Sequence, residues 1–118
     1  WFPRELERGG AAELDFSPGK MFERKDGLPT GKLITPPSQP WDDCFTQVKG
    51  SPTITWEGAA RLEIDSDVNY WVVYTEDPDG ICVEPQTAPP NAQNLAEKLS
   101  LDLTKAHLLQ AQFTFSKG

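Results

Sequence analysis

Residues 69–75 and 81–84, Asn69-Tyr70-Trp71-Val72-Val73-Tyr74-Thr75 and Ile81-Cys82-Val83-Glu84, decide the fold class of this 118-residue chain. The first run is apolar on both faces, the pattern of a central strand covered on two sides. In the second, Ile81 and Val83 share one face and Cys82 and Glu84 the other. Glu76-Asp77-Pro78-Asp79-Gly80 joins them as a turn, because Pro78 presets its φ and Gly80 tolerates a positive one. This is a β unit.

Working outward, the same period of two recurs. Arg61-Leu62-Glu63-Ile64-Asp65 sets Leu62 and Ile64 against three charges. Gln110-Ala111-Gln112-Phe113-Thr114-Phe115 alternates likewise and predicts Ala111, Phe113 and Phe115 inward. Thr53-Ile54-Thr55-Trp56 is a further strand. Eleven prolines and nine glycines cut the chain into short pieces, and no helical period runs beyond two or three turns. Residues 17–40 hold five prolines and read as long ordered loops with a short strand near Leu33-Ile34. Residues 85–94 read as another loop, and residues 94–99 fit one or two turns of helix. Short strands joined by Gly/Pro turns predict an all-β fold, an antiparallel β-sandwich or barrel. Nothing marks a repeat or a boundary, so residues 1–118 are taken as part of one domain.

Composition limits the functions. Apolar residues make up 37% of the chain, which predicts a thin core. Eighteen acidic residues against eleven basic ones give a net charge of −7. The basic residues are scattered, which argues against nucleic acid and anionic lipid as partners. A multiply phosphorylated ligand is disfavoured for the same reason. The apolar runs are far short of a membrane span. No signal-peptide pattern opens the sequence, and Trp1 is not a translation start, which reads as processing or a piece of something longer. Cys44 and Cys82 are too few for a disulfide framework and lack a metal-ligand spacing. They read as free thiols of a cytoplasmic protein.

Three places carry candidate chemistry. Glu84 leaves a strand into Pro85-Gln86-Thr87-Ala88-Pro89-Pro90-Asn91, a stiff loop, and a carboxylate held there is placed to act as a base. A solvated glutamate before a proline is the plainer reading. Asp42 and Asp43 stand in Trp41-Asp42-Asp43-Cys44-Phe45-Thr46. Carboxylates accept hydrogen bonds from sugar hydroxyls while aromatic faces cover the apolar face of a pyranose. Two solvated acids in a turn is the alternative. If Phe45 faces the core, Asp42 and Cys44 face away, and Asp43 either turns inward or precedes the regular strand. His107 is the sole histidine and reads as a strand-end residue, which all but excludes a Ser-His-Asp device or a His-rich zinc site.

These segments resemble a known family. Cys82-Val83-Glu84-Pro85-Gln86-Thr87-Ala88-Pro89-Pro90-Asn91-Ala92 is similar to the C-terminal motif of the aldose 1-epimerase (galactose mutarotase-like) family. Trp41-Asp42-Asp43-Cys44-Phe45 resembles its earlier Asp-containing motif. Leu28-Pro29-Thr30-Gly31-Lys32-Leu33 resembles its Leu-Pro-Thr-Gly segment, and Gln112-Phe113-Thr114-Phe115 its last strand. Order and rough spacing agree over nearly the whole chain.

The resemblance implies the C-terminal portion of a galactose-mutarotase-like supersandwich, with the N-terminal half of the same protein as partner and a monosaccharide, a hexose, as substrate. It implies Glu84 as the base at the anomeric hydroxyl and Asp42 as a substrate-binding residue, with no cofactor. The family's acid histidine precedes an aromatic pair that Trp1-Phe2 resembles, so the chain would begin just after the acid. His107 matches neither histidine motif of the family. The expectation is an isomerase when complete, inactive as this chain alone. A non-catalytic carbohydrate-binding homologue and a sugar-phosphate epimerase-like protein are the alternatives.

Overall fold

A computed structural model describes residues 1–7, 9–90 and 111–117. Ten strands follow in chain order: β1 (Phe2–Pro3), β2 (Ala12–Ser17), β3 (Lys20–Lys25), β4 (Leu28–Ile34), β5 (Asp42–Thr46), β6 (Lys49–Trp56), β7 (Ala60–Ser66), β8 (Tyr70–Tyr74), β9 (Gly80–Gln86) and β10 (Ala111–Ser116). They build a six-stranded sheet, β1-β9-β8-β5-β3-β4, and a four-stranded sheet, β10-β7-β6-β2. The pairings are antiparallel, and the two sheets pack as a sandwich. The expected all-β antiparallel β-sandwich is what forms. No helix among the described residues is long and apolar enough to cross a membrane.

Alternation explains the core. Met21, Phe45, Trp71, Val73, Ile81 and Val83 point inward from the six-stranded sheet, and Ile54, Trp56, Leu62 and Ile64 meet them from the other. At one side Phe16 of β2 sits edge-on to Phe45 and Trp41, with ring centroids 5.2 and 5.9 Å apart. Toward the other side the Trp56 indole donates to the Pro3 carbonyl at 2.8 Å, tying β6 to β1.

β8 is central, three strands in from the β1 edge. Its cover is unequal, however. Trp71 and Val73 are buried by the four-stranded sheet, while Tyr70, Val72 and Tyr74 on the outer face are half-buried. The turn after it also departs from expectation. Asp77 accepts the Asp79 backbone N–H at 2.7 Å, and Arg4 donates to the carbonyls of Asp77 and Thr75 at 2.7 and 2.6 Å. Gly80 does not have a positive φ. Its lack of a side chain admits the Trp1 ring, which a Cβ would overlap.

Residues 17–40 are not long loops. They contain the β3–β4 hairpin, closed by Asp26 (φ 53°) and Gly27 (φ 79°), the two positive φ values of a type I′ turn. The sequence hides β3 because Met21 and Phe22 are adjacent and both buried, which breaks the alternation. Pro29 fits because β4 is the sheet edge. Strands β1, β2 and β3 are additions to the expected set.

The last strand corrects a burial expectation. Phe113 and Phe115 pair with Ile64 and Leu62, so they share the inward face, yet they are 48% and 65% exposed. Among the described residues β10 is an edge, and its Phe113 ring meets Phe2 of the two-residue β1 with centroids 6.4 Å apart. Inward alternation buries nothing where the facing sheet ends. The helical turn expected at residues 94–99, and His107, lie outside the described residues.

Candidate functional site

Register defines one outer face. Asp42 pairs with Tyr74 and Tyr74 with Cys82; Cys44 pairs with Val72 and Val72 with Glu84; Thr46 pairs with Tyr70 and Tyr70 with Gln86. Side chains in register on neighbouring strands share a face. Asp42 and Glu84 therefore stand on the same outer face, one row apart on either side of β8. Strand spacing and rise put their Cα atoms about 12 Å from each other. Glu84 is exposed. It does not leave the strand as expected: β9 continues through Pro85 and Gln86, opposite Trp71 and Tyr70.

The aromatic residues beside Asp42 are not on its face. Trp41 and Phe45 are 6% and 0% exposed and stack edge-on in the core at 5.2 Å. The expectation that they would cover a pyranose fails by parity, since residues 41, 43 and 45 alternate with 42 and 44. The aromatics on the Asp42 face are Tyr74, Tyr70 and the buried Phe22, whose ring lies 6.1 Å from Tyr70. The Tyr74 hydroxyl is held above its ordinary range by burial, then by the carboxylates of Asp77, Glu76 and Asp42. It stays a neutral donor on this face.

Asp43 lies within β5 and turns inward, 8% exposed. Its Oδ2 accepts the Asp42 backbone N–H at 3.1 Å. Its Oδ1 lies 2.8 Å from Nε of Arg24, a close ion pair without hydrogen-bond alignment, because that oxygen has no hydrogen-bond partner. Nη1 of the same guanidinium is 3.8 Å from Oδ2 of Asp42. Arg24 was not legible in sequence, where it is one of the scattered basic residues.

Around this cluster lies a depression of about 90 Å³ lined by Arg24, Gly27, Pro29, Asp42, Asp43, Cys44, Val72 and Pro90. Pro90 belongs to the segment that follows Glu84, so that segment returns toward β5. Glu84 is not in the lining but pairs across the strands with Val72, which is. Among the described residues no three His, Cys, Asp or Glu side chains are grouped to hold a metal ion.

Both cysteines are free. Burial, with a smaller contribution from the Asp43 carboxylate, pushes the Cys44 thiol from 9.0 up to about 12, against a hydrogen bond with the Trp71 backbone. A thiol-reactive reagent at pH 8 is expected to modify one cysteine per native chain, half-buried Cys82, and both after unfolding. Two fast-reacting thiols in the native protein would contradict the burial of Cys44. The linked effect has a definite sign. The neutral buried thiol stabilises fully below pH 9, and that contribution is lost as pH rises from 9 toward 12, where the unfolded chain ionises first.

The fold and this face define an antiparallel β-sandwich with a carboxylate-rich, tyrosine-bearing outer surface. No family model matches the chain, and no curated protein or solved structure matches it.

Proposed function

We propose that this chain carries the base-bearing part of an aldose 1-epimerase, interconverting the α and β anomers of a neutral hexose. What supports the reading is the common face of Asp42 and Glu84, together with the motif resemblance around both. Glu84 takes the proton of the anomeric hydroxyl, and an acid histidine from the N-terminal part of the protein protonates the ring oxygen. The ring opens, C1–C2 rotates, and reclosure on the other face returns both protons. A base and an acid on opposite sides of one hemiacetal are what this proton relocation requires. Asp42 accepts hydrogen bonds from ring hydroxyls, and no redox or group-transfer cofactor enters.

Charge separates this from the sugar-phosphate alternative. Among the described residues, Asp42, Asp43 and Glu84 outnumber the cations Arg24 and Lys20, the latter level with Thr46 in the same register, so the face is net negative and favours a neutral sugar over an anionic one. The non-catalytic alternative draws on the sole histidine, His107, matching neither family motif. Titration of the chain with glucose or galactose, followed by amide NMR, tests the binding claim. Shifts are expected at Asp42, Cys44, Val72, Tyr74 and Glu84. No shifts, or shifts confined to the four-stranded sheet, would remove the sugar site.

A further inference from the structure

Resting on the reading of the Asp42 face as a hexose site, we propose that Arg24 is its positioning residue. The guanidinium holds the Asp42 carboxylate in place from an anchor on buried Asp43, and so sets the affinity for the sugar.

The local chain geometry aims Arg24 there. Continuing the β3–β5 register, Lys20↔Thr46 and Met21↔Phe45, brings Arg24 level with Asp42, and the β3–β4 register shift puts its extra residues in β4, so Arg24 keeps the face of Phe22. The type I′ turn follows two residues later, and Gly27 and Pro29 from it line the same depression. Arg24 therefore stands beside the start of β5 on a paired strand rather than on a loop.

The contacts require an arginine. Nε faces Asp43 at 2.8 Å and Nη1 faces Asp42 at 3.8 Å. A guanidinium fork spans two carboxylates on consecutive residues, whereas an ammonium engages one. Asp43 is the fixed end, since its side chain is 7% exposed; the Asp42 side chain is 52% exposed and has no other ion-pair partner among the described residues. Without Arg24, Asp42 is a solvated aspartate with several rotamers, and binding must order it. With Arg24, that ordering is already done. The unaligned Oδ1 of Asp43 keeps its lone pairs free of hydrogen bonds.

The test is a double-mutant cycle on hexose affinity, read by NMR titration or calorimetry on the full chain, with thermal melts of every variant. Asp42→Asn and Arg24→Gln are each expected to weaken glucose or galactose binding about tenfold, the loss of a charge-assisted contact. The double variant Asp42→Asn with Arg24→Gln should bind within about twofold of Asp42→Asn alone, because Arg24 acts through Asp42. Arg24→Gln strands the buried Asp43 charge and can fail to fold, so Arg24→Gln with Asp43→Asn is made beside it. That neutral pair should regain the wild-type melting temperature without regaining affinity. Three results overturn the role of Arg24: wild-type affinity in Arg24→Gln, fully additive losses in the cycle, or affinity restored together with stability by the neutral pair. Failure of the wild-type chain to bind either sugar sinks the sugar site itself, and this role with it.

Discussion

Glu84→Gln is expected to slow mutarotation about 10²–10⁴-fold, the usual contribution of a general base, with hexose affinity within a few-fold of wild type. The measurement is polarimetry of freshly dissolved α-glucose or α-galactose, with the chain joined to the segment that supplies the acid. The amide keeps the shape of the side chain and its place on β9 between Val83 and Pro85. It loses only the capacity to take a proton, so the loss belongs in kcat rather than in binding. Glu84 is exposed on the outer face, outside the core, so the substitution should leave the melting temperature unchanged. Near-normal rates in this variant would strip Glu84 of its role. A rate loss accompanied by an equal loss of affinity would make it a binding residue instead.

Phe45→Ala is expected to destabilise the sandwich by about 3–5 kcal/mol, the range for deleting a large buried aromatic side chain. Phe45 is fully buried and meets Phe16 and Trp41 edge-on, both at 5.2 Å. It therefore joins β2 of one sheet to β5 of the other. Since domains of this size are stable by only about 5–15 kcal/mol, the melting temperature should fall on the order of 15–25 °C. Phe115→Ala is the matched control: same residue type, same inward alternation, but 65% exposed. Its effect should stay within about 0.5 kcal/mol. Urea unfolding followed by circular dichroism compares them directly. If both variants lose equal stability, the β10 side of the sandwich is covered and Phe115 is not at an exposed edge.

The outer-face geometry was partly legible in the residues. Alternation in 81–84 separates Glu84 and Cys82 from the core, and Phe45 as a core residue puts Asp42 on the far side. Both deductions need only the period of two and one apolar anchor. What they left open was Asp43, which turns inward and pairs with an arginine nineteen residues earlier in the chain. Nor could they reveal that Trp41 faces the core, because the sequence does not say that backbone bonding continues one step past the β5–β8 ladder, to Trp41 and Thr75. The backbone N–H of Trp41 bonds the Thr75 hydroxyl at 2.8 Å, and Thr75 returns its own N–H to the Trp41 carbonyl at 2.7 Å.

The all-β class and most of the strands were determined by the sequence alone, because a half-buried strand writes its two faces directly into the order of residues. Strand β3 escaped because Met21 and Phe22 are adjacent and both buried while charged residues surround them, which breaks the alternation. Phe113 and Phe115 were oriented correctly but assigned the wrong burial, since orientation is a local property and burial depends on where the opposite sheet stops. The Arg24–Asp43–Asp42 cluster was decided by tertiary structure, through the pairing of β3 with β5 that brings Arg24 level with Asp42. Alternation reports which side of its own strand a residue faces; which residues from other strands meet it there is set by sheet order, and sheet order is the product of packing the whole chain.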